Sequence, residues 1–326
     1  MKHHLLRAGS IAVVFACGPA IASDLVTGAP PSFQGQPPLP DASLRPTLSD
    51  SSFGPSLFSG PPPSWTGVYI GLNAGLVADG GGSVNIGGFP LGVGALPSDI
   101  ATVSGSMTPN GSSFIGGGGI GFNYQLSNAL FVGVETDFQG STLNGASSIA
   151  TGAPYTGAPT LLNEFGALTA EKTLGYFGTV RGRVGFLLTP AIGVFGTAGL
   201  AYGQVGMNTT SALSYVLTST GTPVVGAYGA TNNSSMRAGW TAGGGLEAFL
   251  SPCWSAKAEY LYYDLGAITA ITPFVASNSM LPGGLTMAMA SKSSTSYTGH
   301  IARIGVNYHF PYTPAPVVPS PVVAKY

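Results

Sequence analysis

The chain has 326 residues, of which 7% are charged, against about 25% in an ordinary soluble domain. Its formal net charge is −1, and 44% of its residues are hydrophobic. That balance excludes a solvated soluble surface, a coiled coil, a nucleic-acid footprint and charge-driven disorder. The 50 glycines, roughly twice the usual share, follow no three-residue period, which excludes collagen and opposes long helices.

Residues 1–22 are expected to be an export signal. Lys2 and Arg7 give a positive start, residues 11–17 an apolar stretch, and Ala20-Ile21-Ala22 an A-x-A cleavage site. The rival is lipidation at Cys17, because Val14-Phe15-Ala16-Cys17 loosely resembles a lipobox. Either route takes the protein out of the cytoplasm. Cleavage after Ala22 removes Cys17 and leaves Cys253 with no internal disulfide partner. Residues 23–64 are Pro-rich and are expected to form an extended periplasmic linker. Residues 311–326 repeat that character as a periplasmic tail.

Residues 65–310 alternate, and period two marks strands. The first, 65–77, sets Val68, Ile70, Leu72, Ala74 and Leu76 against Gly71, Asn73 and Gly75. The second covers 119–126 and the third 130–140, with Val132, Val134 and Phe138 against Gly133, Glu135 and Asp137. The fourth, 176–187, sets Val180, Val184 and Phe186 against Thr179, Arg181 and Arg183. The remaining four are 192–205, 237–250, 254–263 and 300–310. Long Gly/Ser/Thr/Ala-rich links follow the odd strands, and turns of a few residues follow the even ones. The predicted fold is all-β: an eight-stranded antiparallel up-and-down transmembrane β-barrel, with long outer loops and short periplasmic turns. A closed barrel satisfies every backbone group without an edge, as lipid requires.

Charge placement points the same way. Glu135, Asp137, Arg181, Arg183, Arg237, Glu247, Lys257, Glu259 and Arg303 all oppose the apolar parity of their strands. Almost no charge remains to cover a water-facing wall, so the apolar parity is expected to face lipid and the charges a lumen. Aromatics fall into two interfacial girdles. Phe138, Tyr176, Tyr202, Trp240 and Tyr262 form the outer one, and Tyr124, Phe186, Trp254, Tyr308 and Phe310 the inner one. A spanning helix at 185–205 is the structural rival, opposed by Pro190 and five glycines.

Several of these segments are similar to a known family. The run Trp65-Thr66-Gly67-Val68-Tyr69-Ile70-Gly71-Leu72-Asn73-Ala74-Gly75 resembles the first strand of the alphaproteobacterial outer-membrane immunogenic proteins, the RopB-like small barrels. Gly133-Val134-Glu135-Thr136-Asp137-Phe138-Gln139-Gly140 resembles the third, and Gly178-Thr179-Val180-Arg181-Gly182-Arg183-Val184-Gly185 the fourth. Gly239-Trp240-Thr241 and Ser255-Ala256-Lys257-Ala258-Glu259-Tyr260-Leu261-Tyr262 look like the sixth and seventh. Arg303-Ile304-Gly305-Val306-Asn307-Tyr308-His309-Phe310 is similar to the last. The resemblance implies an outer-membrane barrel described as porin-like or as a surface antigen. It also implies an assembly signal at Val306, Tyr308 and Phe310, read by the barrel-assembly machinery.

No catalytic, metal or cofactor set stands out. Gly116, Gly118 and Gly121 spell G-x-G-x-x-G, but a strand follows them instead of the helix a nucleotide site needs. His300 and His309 share one strand, nine residues apart, and cannot form a metal cluster alone. Ser residues near His300 show no spacing that singles out a hydrolase set. The lumen charges admit two readings, a plugging network or a pore lining. Eight strands enclose an interior just wide enough for side chains, which favours the plug. The expected role is structural, in envelope integrity and surface contact, with a narrow porin or loop-borne haem or host-ligand binding as alternatives. The expected partners are outer-membrane lipids, the assembly machinery, and cell-wall or host surface components, with no nucleic acid.

Overall fold

The computed structural model describes residues 63–92, 97–154, 162–221, 223–277 and 286–311. The expected signal, and nearly all of the expected linker and tail, lie outside them. The described elements are β1 (Gly67–Asp79), β2 (Val84–Pro90), α1 (Pro97–Thr102), β3 (Gly105–Met107), β4 (Ser112–Gln125) and β5 (Leu130–Pro154). They continue with β6 (Leu162–Thr189), β7 (Ile192–Leu217), β8 (Pro223–Phe249), β9 (Trp254–Ser277) and β10 (Thr286–His309).

Eight strands form the ring, in the order β1-β4-β5-β6-β7-β8-β9-β10, and β1 pairs with β10 to close it. The closing ladder runs antiparallel from Tyr69 opposite His309 to Asp79 opposite Gly299. Closure leaves no ring edge in lipid. The wall follows the alternation of the sequence. Leu72, Leu76, Val134, Val180, Leu200, Leu246 and Ile304 are exposed on the outside, while Glu135, Arg181, Glu247 and Arg303 are buried inside. The outer girdle is assembled from packed rings, Phe138 with Tyr176 and Trp240 with Tyr262. The inner girdle packs Trp254 on Tyr308 and Tyr308 on Phe310.

Strand length departs from expectation. Strands β5 to β10 run 24–28 residues, whereas a membrane strand needs about 9–11. The links after the third, fifth and seventh predicted strands, expected as outer loops, are therefore largely strand where they are described. The reason lies in weak alternation. On β7, Met207, Leu213 and Tyr215 are buried, and Thr210, Ala212 and Ser214 between them are half-buried. Small and hydroxyl residues on the outer parity hide the period from a reading based on hydrophobicity. Register shifts sit near the outer girdle, between Gly140 and Leu143, Leu174 and Phe177, and Ser296 and Thr298. Bulges are common at barrel rims, where they re-aim a strand. Here they mark where the membrane band gives way to the extension.

The first long connection also departs from the expected loop. It carries β2, α1 and β3. Where β1 ends, β2 takes its place on β10, from Ser294 opposite Asn85 to Met289 opposite Pro90. Strand β3 then pairs with β2. Val84, Ile86, Val103 and Met107 from this connection join Leu168, Phe177, Met207, Leu213, Tyr263 and Phe274 in one buried apolar core. Each such side chain stabilises the fold by about 1.5–3 kcal/mol when fully buried. The extension thus has a core of its own above the membrane band.

Cys253, in the turn before β9, is buried.

Candidate functional site

The lumen is filled in layers, and its floor is aromatic. Trp65 stacks on Phe131 with centroids 4.8 Å apart and meets Phe249 edge-on at 5.0 Å. Its indole Nε1 donates to the carbonyl of Pro190 at 2.9 Å. Glycines on the inner parity give these rings room. A Cβ at Gly185 would overlap the Phe131 ring, and one at Gly121 would overlap Tyr69.

The charge network lies above the floor. Arg181 meets Glu259 at 2.6 Å, Glu135 at 2.8 Å and Asp137 at 2.9 Å. Arg303 meets Glu259 at 2.6 Å and Asp137 at 2.7 Å. Lys257 meets Glu135 at 2.7 Å, and Arg183 meets Glu247 at 2.8 Å. Four cations and four anions therefore share one buried cluster with no net charge. Buried charges persist only when paired and hydrogen-bonded. Here some of the remaining polar atoms are met by neutral groups, whereas Asp137 Oδ1, Arg183 Nε and Arg303 Nη1 have no hydrogen-bond partner among the described residues. Tyr69 donates to Glu135 at 2.6 Å, and Asn307 and Ser255 donate to Glu247 at 2.7 and 2.6 Å. Arg183 also lies over the Phe195 ring, 4.0 Å from its centroid. A cavity of about 10 Å³ remains among Tyr69, Asn73, Glu135, Lys257 and Asn307, room for about one water.

Eight of the nine charges named from the sequence meet in this cluster. Arg237 does not. It is half-buried at the level of Gly203, above the network, and has no ion pair among the described residues. In Cα register Glu135 stands opposite Arg181 and Asp137 opposite Thr179, and the side chains also reach diagonally, Asp137 to Arg181 at 2.9 Å and Glu135 to Arg183 at 3.5 Å. Glu247 and Lys257 do face one another in register, but each takes its ion pair elsewhere. Of the expected assembly residues, Val306 and Phe310 are exposed and Tyr308 half-exposed on the lipid face. The ladder ends at His309, and Phe310 N–H donates to Val68 O at 3.0 Å. Tyr176, Tyr202, Trp254 and Tyr262 are half-buried on the outer wall, and Trp240 is exposed there.

Sequence reasoning missed Tyr69, Asn307, His309 and Ser255, although all four share the parity of the charges. It also missed the pair of Lys172 with Asp79 at 2.7 Å, buried in the extension. Ser255, His309 and Glu247 supply the residue types of a nucleophile, base and acid. They lack the geometry, because Ser255 donates to the carboxylate itself and all three are buried beside the aromatic floor.

Helix α1 covers the distal end of the core. The carboxyl of Glu164, on β6, accepts from Ser98 at 2.8 Å and from Thr102 at 3.3 Å. Tyr215 donates to Asp99 at 2.6 Å, and Thr151 donates to the carbonyl of Thr102. Glu164 is twelve residues beyond Tyr176, roughly 40 Å of strand, and so outside the membrane band. Burial pushes its carboxyl up to about 7; the Asp99 carboxylate adds to this, while the Ser98 and Thr102 hydroxyls oppose it.

Residues 63–310 match the family model described as outer membrane protein beta-barrel domain. The chain is 36% identical over 247 residues to the 31 kDa outer-membrane immunogenic protein of Brucella melitensis, covering 76% of this chain and 84% of that protein. It is 27% identical over 204 residues to the 22 kDa outer membrane protein of Rhizobium leguminosarum bv. viciae, covering 63% and 66%. Among solved structures it is similar to OprG from Pseudomonas aeruginosa at 10% identity, with a TM-score of 0.36 over 78% of this chain and 100% of that one. The chain belongs to the outer membrane protein beta-barrel domain family, alongside the outer-membrane immunogenic proteins, and its place is the outer membrane.

Proposed function

We propose that this protein is a non-enzymatic structural barrel, closed to solutes, that supports the envelope and presents its extension outside the cell. One observation carries this reading: the lumen of the described residues holds an aromatic floor, a neutral charge network and an apolar core, with a void of about 10 Å³ in the network. A porin for small solutes needs a continuous wet path, which this packing opposes. The short turns share one side with Trp65 and Phe310, where the ring begins and ends, which supports a periplasmic placement for that side and an outward one for the extension. Surface contact through the hairpin tips, with cell-wall or host components as partners, belongs to the same reading. So do insertion by the assembly machinery, the export signal and the Pro-rich periplasmic segments. Single-channel recording on purified protein in planar bilayers tests the closed lumen. The expected trace is flat at baseline, and reproducible conductance steps would overturn the proposal in favour of the narrow porin.

A further inference from the structure

The lipid face is not uniform. Two adjoining clefts of about 620 and 750 Å³ lie on the outside of β8, β9, β10 and β1, and they share Ala74, Leu246, Ala258 and Ile304. Their floor is made by Ala256 and Ala258 on β9 and Ala248 on β8. Leu246 and Ile304 stand up on either side, 53% and 70% exposed. The cross-strand register sets this profile, since Ile304 lies beside Ala258 and Ala258 beside Leu246. The result is a groove within the apolar band.

The groove's distal end holds a polar cluster. Tyr260 lines it and binds His300, with the hydroxyl 2.6 Å from Nδ1 and the rings stacked. Tyr262 packs against His300 and Trp240. His300 is the one imidazole on the outer wall among the described residues. The Tyr260 hydroxyl can donate to Nδ1, an arrangement that makes Nε2 the ring's N–H donor. Nε2 has no hydrogen-bond partner among the described residues, and the Tyr262 ring beside His300 packs with Trp240 in the outer girdle. Polar groups on a membrane face are costly unless something meets them.

We propose that this face holds one acidic lipid, an acyl chain in the groove over Ala256 and Ala258 and a phosphate at Nε2 of His300. The groove admits a single chain. The wall of a second barrel is convex and would rest on Leu246 and Ile304 without reaching the floor. A phosphate accepts what Nε2 donates, and Tyr260, Tyr262 and Trp240 sit at the depth where headgroups meet acyl chains. Glycerophospholipids and lipid A both carry such a phosphate.

Native mass spectrometry of the folded, delipidated protein tests this. Phosphatidylglycerol, hexa-acyl lipid A and neutral diacylglycerol are added back in turn. The expected spectrum keeps one phosphate lipid at low excess, and the tighter of the first two names the source. Ala258→Phe, which fills the groove from the lipid side, should weaken retention about tenfold. Val134→Phe, on another part of the wall, should leave it unchanged. His300→Ala should erase the preference for phosphate lipids over diacylglycerol, and His300→Lys should restore it. Equal adducts on wild type, Ala258→Phe and Val134→Phe would mean annular lipid only and overturn the proposal. A dimer mass lost on Ala258→Phe would overturn it in favour of a second barrel. Unboiled gel mobility checks that each variant is folded.

Discussion

Glu247 and Lys257 face one another in register across the turn between β8 and β9, yet neither takes the other as its ion-pair partner. Glu247 pairs with Arg183 and Lys257 with Glu135, across the lumen. Partner choice is therefore set by reach across the interior, not by the neighbouring strand. Reversing both charges cannot restore the network. Lysine at 247 would confront Arg183, and glutamate at 257 would confront Glu135. The double variant Glu247→Lys with Lys257→Glu should be less stable than either single one, because each reversal adds a like-charge contact. Urea midpoints of the folded protein in detergent, read from unboiled gel mobility, measure it. A double variant more stable than both singles would show direct coupling between the two residues.

Arg181 is the hub of the cluster. It touches Glu135, Asp137 and Glu259, and its Nε donates to Thr179 at 2.9 Å. Arg181→Ala would leave three carboxylates short of a cation. Breaking a buried pair from one side costs about 3–5 kcal/mol, more than the net worth of the pair. The urea midpoint should fall far more than for Val134→Ala, whose side chain is 60% exposed to lipid. Thr179→Ala makes a poor control, since its hydroxyl belongs to the network. An unchanged midpoint together with new conductance would mean that Arg181 lines a wet pore.

The ring and its lumen were legible because lipid inverts the usual pattern. Each strand had to put Leu or Val outward and could place Arg181 or Glu259 only inward, so parity alone sorted the faces. Pairing was less legible, because Arg and Lys reach across several strands and Cα register does not say which acid they meet. Tyr69 and Asn307 share the right parity but carry no charge to draw notice. The extension was hidden for a different reason. Its outer positions are Thr, Ser, Ala and Gly, as at Thr210, Ala212 and Ser214, which hydrophobicity does not separate from a loop. Glu164 and Asp99 were out of reach, since only folding of α1 onto β6 brings them together.

Strand-walled extensions change which insertions the protein tolerates. Tags within 155–161, 218–221 or 278–285 fall between strands, and tags within 144–150 would interrupt β5 opposite β6. The first set should be folded and labelled by antibody on intact cells. The second should lose the unboiled gel shift. Tags at Ser127 or Pro252, in the short turns, should fold but stay hidden until the outer membrane is opened. Labelling of the short turns on intact cells would reverse the orientation.

The cap formed by α1 should respond to pH through Glu164. Its carboxyl titrates near 4.5 when free and is pushed up to about 7 in the fold, by burial first and by Asp99 second. The folded state therefore holds a proton that the undocked state gives up between those values. Stability from this group is full below about 4.5, declines as pH rises, and is lost above about 7. Above that point two carboxylates share a buried site on α1 and β6, and docking of the helix weakens. Amide exchange of residues 98–103, corrected for the intrinsic rate, should be faster at pH 8 than at pH 5.5. Exchange in β6 near Arg181 should not change, because the membrane band holds no part of this contact. Glu164→Gln keeps an acceptor for Ser98 but cannot ionise, so its exchange should be the same at both pH values. A wild-type cap with equal protection at pH 5.5 and 8 would show that Glu164 stays in one protonation state across that range.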